Sequence, residues 1–305
     1  MRSKLIGNEE AVKKAEDYVR GNAYGPLLIS GEEGLGQEVL AMEIASALLK
    51  TEEPENHGNF YALRPEKGVI RVEQVEELLD RSRILAHSGS KKVFVIFDIG
   101  CMTKQAQNRL LKLLEDRNDT NVLLMTQESG KVLDTIVSRS IGIRLQRVPK
   151  QRMETYLREL GEERDLAVFT AVMRGCPYRY EGIRAKIDMF RQIYTAQLEM
   201  GQKKQILYLF HEVKEKDKES FYEKNRQQLY ELLNMEFSLF EELLLWKEGA
   251  VASLPDERYL NLDRLYGMAD VIRILQAILE QKRNLKNAGQ YTRNDFVDLL
   301  RELCR

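Results

Sequence analysis

The chain has 305 residues, 43% of them apolar, with 47 basic and 48 acidic side chains and a formal net charge of -1. Its 19 Gly, 6 Pro and 3 Cys exclude collagen-like, wholly disordered and disulfide-framework classes. The cancelled charge argues against nucleic acid as its sole partner, and the length predicts two or three domains.

In chain order, Leu27–Ser30 reads as a buried strand, followed by a loop from Gly31 to Gly36 and a helix from Gln37 to Lys50. Val93–Phe97 is a second buried strand and Gln105–Leu114 a helix with its leucines near one face. Val122–Thr126 is a third strand, and Leu133–Val137 leads into a fourth at Ile141–Leu145. Strands separated by helices predict an α/β fold, a parallel sheet with helices on both faces. After Pro149 no β run appears. Lys150–Leu160, Glu162–Met173 and Tyr180–Met200 predict a small helical unit. Longer helices follow at Gln202–Lys216, Phe221–Lys247, Leu262–Leu285 and Asn294–Cys304. The stretch 221–247 is so apolar that it must bury itself, against its own chain or another. The predicted domains are 1–147 (α/β), 148–200 (helical lid) and 201–305 (all-helical).

The longest apolar runs, such as 93–97, are far shorter than the roughly 20 residues that cross a bilayer, and MRSKLIGNEE has no apolar signal core. Cys101, Cys176 and Cys304 lie far apart with no C-x-x-C pair, so a reduced, cytoplasmic home is expected. His57, His87 and His211 show no ligand spacing.

The loop Gly31-Glu32-Glu33-Gly34-Leu35-Gly36-Gln37-Glu38 stands between strand and helix with the spacing of a phosphate loop, G-x-x-x-x-G-K-[ST]. Gly31, Gly34 and Gly36 keep the turn that aims backbone N–H groups at an anion. Gln37 replaces the phosphate-pairing lysine, and Glu38 replaces the hydroxyl that holds Mg²⁺. Each change is worth on the order of 1–4 kcal/mol at a few ångströms, so nucleotide binding by this chain is not expected. The strand 93–97 repeats the pattern: an ATP-hydrolysing strand ends in an acidic pair, but here Phe97 precedes Asp98, and a phenyl ring cannot ligate a metal.

Three further segments complete a pattern. Gln107–Asp116 (QNRLLKLLED) resembles the "NALLKTLEE" helix of clamp-loader AAA+ proteins. Asn121–Thr126 resembles their sensor-1 strand, and Ile136-Val137-Ser138-Arg139-Ser140 resembles their Ser-Arg-Cys motif. Order and spacing agree over roughly residues 5–180. Broken phosphate and acidic motifs beside an intact Ser-Arg pair look most like δ′-type subunits of bacterial DNA polymerase III, as does the segment from Gly68 to Leu78. The sequence departs from the pattern at Ser140, where the family has cysteine, and at Arg117-Asn118, where it has a proline pair. Many clamp loaders carry a four-cysteine zinc module after the first helix. Residues 50–68 here hold no cysteine and one histidine, His57, so no metal is expected.

The resemblance implies an AAA+ domain, a lid and a collar in a hetero-oligomeric loader that places a sliding clamp on primed DNA. The implied partners are a τ/γ ATPase subunit and a δ subunit, with no membrane. It implies that Arg139 serves as an arginine finger to a neighbour's ATP, with Ser138 supporting it. Asp98 and Thr126 become relics of the acidic and sensor-1 positions, and Arg179 falls near the sensor-2 region. Arg144 and Arg147 lie close enough in sequence to be confused with Arg139. Arg81, Arg83, Lys91 and Lys92 are either solvated or phosphate-facing. The competing readings are a self-sufficient P-loop NTPase or nucleotide switch, and a degenerate AAA+ scaffold outside replication.

Overall fold

The computed structural model describes residues 3–21, 25–84, 91–115, 120–127, 129–198, 226–251 and 259–286. The expected helices at Gln202–Lys216 and Asn294–Cys304, the start of Phe221–Lys247, and His87, Arg117, Asn118, His211 and Cys304 lie outside them.

The chain divides into two compact units: Met1–Val148 with Cys176–Tyr178, and Pro149–Gly175 with Arg179–Arg305. In the first, five strands form one parallel sheet: β1 (Leu27–Ser30), β2 (Phe60–Leu63), β3 (Lys92–Ile96), β4 (Thr120–Thr126) and β5 (Ile141–Arg144). Their order is β2-β3-β4-β1-β5, so β1 is flanked by β4 and β5. This is the α/β class expected from the sequence. The alternation of a strand sorts the side chains to the two faces. Leu27, Ile29, Val93, Val95, Leu123 and Met125 share one core with α1 (Glu9–Val19) and α2 (Gln37–Leu49). Leu28, Phe94, Ile96, Val122 and Leu124 share the other with α3 (Val72–Arg83) and α4 (Lys104–Glu115). A four-residue helix, α5 (Asp134–Val137), precedes β5.

Strand β2 was not anticipated. It sits at the sheet edge, and three of its four residues are only partly buried or exposed, so its apolar signal is weak. Lys92 also proves to be structural. It is buried, and its ammonium donates to the carbonyls of Arg81, Ser82 and Ile84 at the C-terminal end of α3. These carbonyls have no partner within the helix, and a cation is favoured there.

Among its described residues the second unit is all helical: α6 (Lys150–Glu159), α7 (Leu166–Met173), α8 (Tyr180–Arg184), α9 (Ile187–Leu198), α10 (Arg226–Lys247), α11 (Tyr259–Leu265) and α12 (Met268–Lys286). Helix α10 packs on both α7 and α12, so the segments expected as lid and collar share one core. Leu229, Leu232, Leu233, Met235, Leu239, Phe240 and Leu243 of α10 are buried within the chain itself. The single helix expected at 262–285 is broken at Gly267. There Asp270 accepts the Gly267 N–H (3.2 Å), the returning half of a capping box that starts α12 afresh.

Asp165 anchors this unit. Its two oxygens accept from Arg191 Nε (2.5 Å) and Nη2 (2.6 Å) across to α9. The Arg191 hydrogen bonds hold the Asp165 carboxyl below the usual carboxylate range, against the opposing effect of burial. A lowered folded-state value stabilises the fold above the unfolded pKa, and that stability is lost as the pH falls through the folded value. Asp165→Asn is therefore expected to cost about 1–3 kcal/mol near neutrality and to flatten stability below about pH 4. Urea midpoints at pH 7 and pH 3 measure both effects. An equal loss at the two pH values refutes the ion-pair origin.

Candidate functional site

The loop between β1 and α2 lies at the carboxyl end of the central strand, where open α/β sheets form their crevice. Gly34 (φ +85°) and Gly36 (φ +100°) take left-handed backbone that other residues rarely adopt. At Gly31 the need is space: a Cβ there meets Leu145 Cβ and Leu35 Cδ1, both at 3.1 Å.

The glycine turn expected of the loop is thus present, and Gln37 is turned inward. Gln37, nearly buried, donates its amide N–H to the carbonyls of Gly31 and, at 2.9 Å, Glu32. Glu32 is paired with Arg147, whose Nη2 lies 2.8 Å from both carboxylate oxygens. Glu38 is paired with Arg64 Nη2 at 2.7 Å. The Arg64 guanidinium lies 3.4 Å from the centroid of Phe97, the residue in the metal-supporting slot at the end of β3. Arg64 also approaches Glu55 at 3.7 Å. Two of the three carboxylates around the loop, Glu32 and Glu38, are therefore balanced by arginines of the same chain.

Tyr178 closes the arrangement. The segment Cys176–Tyr178 belongs to the first unit, with Cys176 in the core beneath α2. The Tyr178 N–H donates to Gly34 O (3.1 Å). Its hydroxyl donates to Lys4 O (3.0 Å) and accepts from the Ile6 N–H (3.3 Å). Its ring lies against Gly36, where a Cβ would be 2.4 Å from Tyr178 Cε2. A bound nucleotide asks for a cation at position 37, a hydroxyl at 38 and an acid at 97. The residues present supply an amide, a carboxylate and a phenyl ring, and do not fit Mg-ATP.

Asp98 and Thr126 stand at adjoining strand ends. Asp98, in left-handed backbone, accepts the Gly100 N–H (3.2 Å) and the Cys101 thiol (3.3 Å). Thr126 is 1% exposed, its carbonyl accepts the Gly31 N–H (3.2 Å), and its hydroxyl faces Gly100. Both are engaged locally. Among the described residues no group of three His, Cys, Asp or Glu side chains is arranged to hold a metal ion. No helix among them is long and apolar enough to cross a membrane.

Arg139 lies elsewhere on the first unit, just after α5. Its side chain is 46% exposed, with Nη1 donating to Thr135 O (3.0 Å) and Nη2 3.6 Å from Glu115. Ser138 Oγ donates to the same Thr135 carbonyl (3.3 Å), so serine and arginine share one anchor at the helix end. Ser140 Oγ donates to Ile136 O (2.7 Å). Arg147 is committed to Glu32, and Arg144 is exposed at the end of β5. Arg179 belongs to the second unit, where its guanidinium lies 5.5 Å from the Tyr230 ring and is mostly buried.

The sequence reading gave no role to Arg64 or Tyr178. Each reaches the loop from far along the chain, and no local pattern marks them.

Residues 8–149 match the family model described as "DNA polymerase III, delta subunit". Among curated proteins, replication factor C subunit 2 of Arabidopsis thaliana is 27% identical over 184 residues, 60% of this chain and 52% of that protein. DNA polymerase III subunit delta' is 28% identical over 148 residues in Bacillus subtilis (43% of this chain, 45% of the relative) and 29% over 165 in Escherichia coli (48% and 49%). The chain thus spans about half the length of the curated relatives it matches. A DNA polymerase III gamma subunit-related protein of Thermotoga maritima superposes over 95% of this chain and 98% of its own, with 17% identity and a TM-score of 0.49.

Proposed function

Since residues 8–149 match the family model described as "DNA polymerase III, delta subunit", we propose that this protein is a δ′-type, non-hydrolysing subunit of a replicative clamp loader. In this reading it does not turn over ATP. It completes the ATP site of the adjacent τ/γ ATPase subunit through Arg139, pairs with δ, and so helps place a sliding clamp on primed DNA in the cytoplasm.

One contrast carries the reading. The loop that should hold a triphosphate is satisfied by its own side chains, while the guanidinium of Arg139 stands half exposed, on one backbone carbonyl and one long ion pair. A planar, permanently charged group suits the spreading charge of phosphoryl transfer, and exposure lets a neighbour reach it. Support for assembly comes from the second unit. Met268, Ile272 and Leu279 of α12 and Leu260 and Leu265 of α11 are exposed large apolar side chains. Residues 268, 272 and 279 recur at helical spacing on one face of α12, a surface suited to neighbouring helices.

Two measurements test this. Calorimetric titration of the isolated chain with Mg-ATP is expected to give no binding at concentrations up to about 1 mM. Co-expression with the τ/γ and δ subunits of the same cell is expected to give a stable complex. Sub-millimolar binding with turnover replaces the proposal with a self-sufficient NTPase. Failure to assemble replaces it with a scaffold outside replication.

A further inference from the structure

We propose that Tyr178 is a built-in occupant of the phosphate loop, so that the chain fills this site with its own aromatic side chain in place of a purine nucleotide. The inference rests on the reading of the loop as one that takes no nucleotide, and it adds a second cause. Gln37 and Glu38 explain why a triphosphate is poorly attracted; Tyr178 explains why one has no room.

Three observations carry it. The ring lies directly on the last glycine of the loop: Cε2 and Cδ2 are 2.4 and 2.9 Å from where a Gly36 Cβ would be. A ring close enough to overlap a Gly36 Cβ leaves no room for a ligand group between itself and Gly36. The hydroxyl donates to one backbone carbonyl, Lys4 O, and accepts from one backbone N–H, Ile6. An adenine offers the same pair on its amino-pyrimidine edge, a donor amino group beside an acceptor ring nitrogen. An aromatic ring with an adjoining donor and acceptor thus meets the polar demands of this backbone as a purine does. Finally, the Tyr178 N–H is bonded to Gly34 O within the loop, so the segment is tied to the structure it covers.

The other vacated positions are filled in the same way. Gln37 Nε2 holds the carbonyls of Gly31 and Glu32 from within. Arg64, stacked on Phe97 and paired with Glu38, joins the two positions at which the sequence lacks a metal-supporting group. A nucleotide entering this loop must displace the ring and break its hydroxyl's bonds to Lys4 and Ile6, contacts made within one folded unit.

The test is Mg-ATP binding by titration calorimetry to four full-length proteins: wild type, Gln37→Lys/Glu38→Thr, Tyr178→Ala, and the triple variant. The motif-repaired double variant is expected to bind no ATP up to about 1 mM, and the triple variant to bind at least about tenfold more tightly than any other. Tyr178→Ala alone is expected not to bind, since the loop still lacks its cation. If the double variant binds as well as the triple, Tyr178 is not an occupant, although the reading of a disabled loop stands. If the wild type binds, that reading falls and this one with it. A triple variant that unfolds cooperatively yet binds nothing also overturns the proposal. Should Tyr178→Ala prevent folding, Tyr178→Val in the repaired background keeps an apolar filler, opens the ring's space, and is read against the same outcomes.

Discussion

In a reconstituted loader, Arg139→Ala is expected to lower ATP turnover at the one interface it serves by about 10³-fold or more, the usual worth of an arginine finger. The total DNA-stimulated rate falls by the share that interface contributes. Assembly and the unfolding transition of the free chain should be unchanged, because the wild-type side chain is half exposed and its contact with Glu115 is long. Exposed pairs of this kind contribute little to stability. Arg139→Lys separates charge from shape. It keeps the cation but loses the planar fork, so it should resemble alanine more than arginine. Ser138→Ala is expected to act more weakly, since the Arg139 Nη1 bond to Thr135 O remains. Pre-steady-state hydrolysis by the assembled complex measures all three. Unchanged turnover in Arg139→Ala removes the finger, and Arg144→Ala is then the next variant to measure.

The second large effect is on stability. Gly36→Ala forces a Cβ into left-handed backbone at φ +100° and within 2.4 Å of Tyr178 Cε2 and 2.5 Å of Leu5 Cδ1. The backbone strain costs about 1–3 kcal/mol, and the overlap roughly as much again. We expect a loss of about 3 kcal/mol and a fall on the order of 10 °C in the melting transition of the first unit. Gly142→Ala is the matched control. Its φ is not positive and nothing lies within 4 Å of its Cβ, so it should be neutral or slightly stabilising. The overlap with the ring vanishes in a Tyr178→Ala background, so Gly36→Ala should cost less there. Equal costs in both backgrounds place the strain in the backbone and the Leu5 overlap rather than in the ring.

The sheet was legible in the sequence because its central strands are short apolar runs bounded by turn residues, the pattern of strands buried on both faces. Strand β2 escaped because an edge strand buries less, and Phe60–Leu63 offers only four residues to be recognised. The loop was legible because glycine spacing is local. Its occupants were not: Arg64 and Tyr178 arrive through tertiary structure, and neither neighbourhood hints at the destination. The break at Gly267 was readable, since a glycine followed three residues later by Asp270 is a helix-start signal. An uninterrupted run of apolar periodicity from 262 onward hid it. Lys92 shows the converse, a charge in a basic stretch that folding withdraws from solvent to finish a helix.

Arg179 bears on how such a subunit could regain hydrolysis. Its guanidinium shares the Tyr230 ring with the ammonium of Lys282, which in turn is bonded to Asn234. In the proposed reading, a lysine at 37 supplies one cation, while Arg179 stays employed in a helical core. For the proposed subunit, reversion is a ratchet against itself: each step toward catalysis first undoes a contact that now keeps the molecule folded.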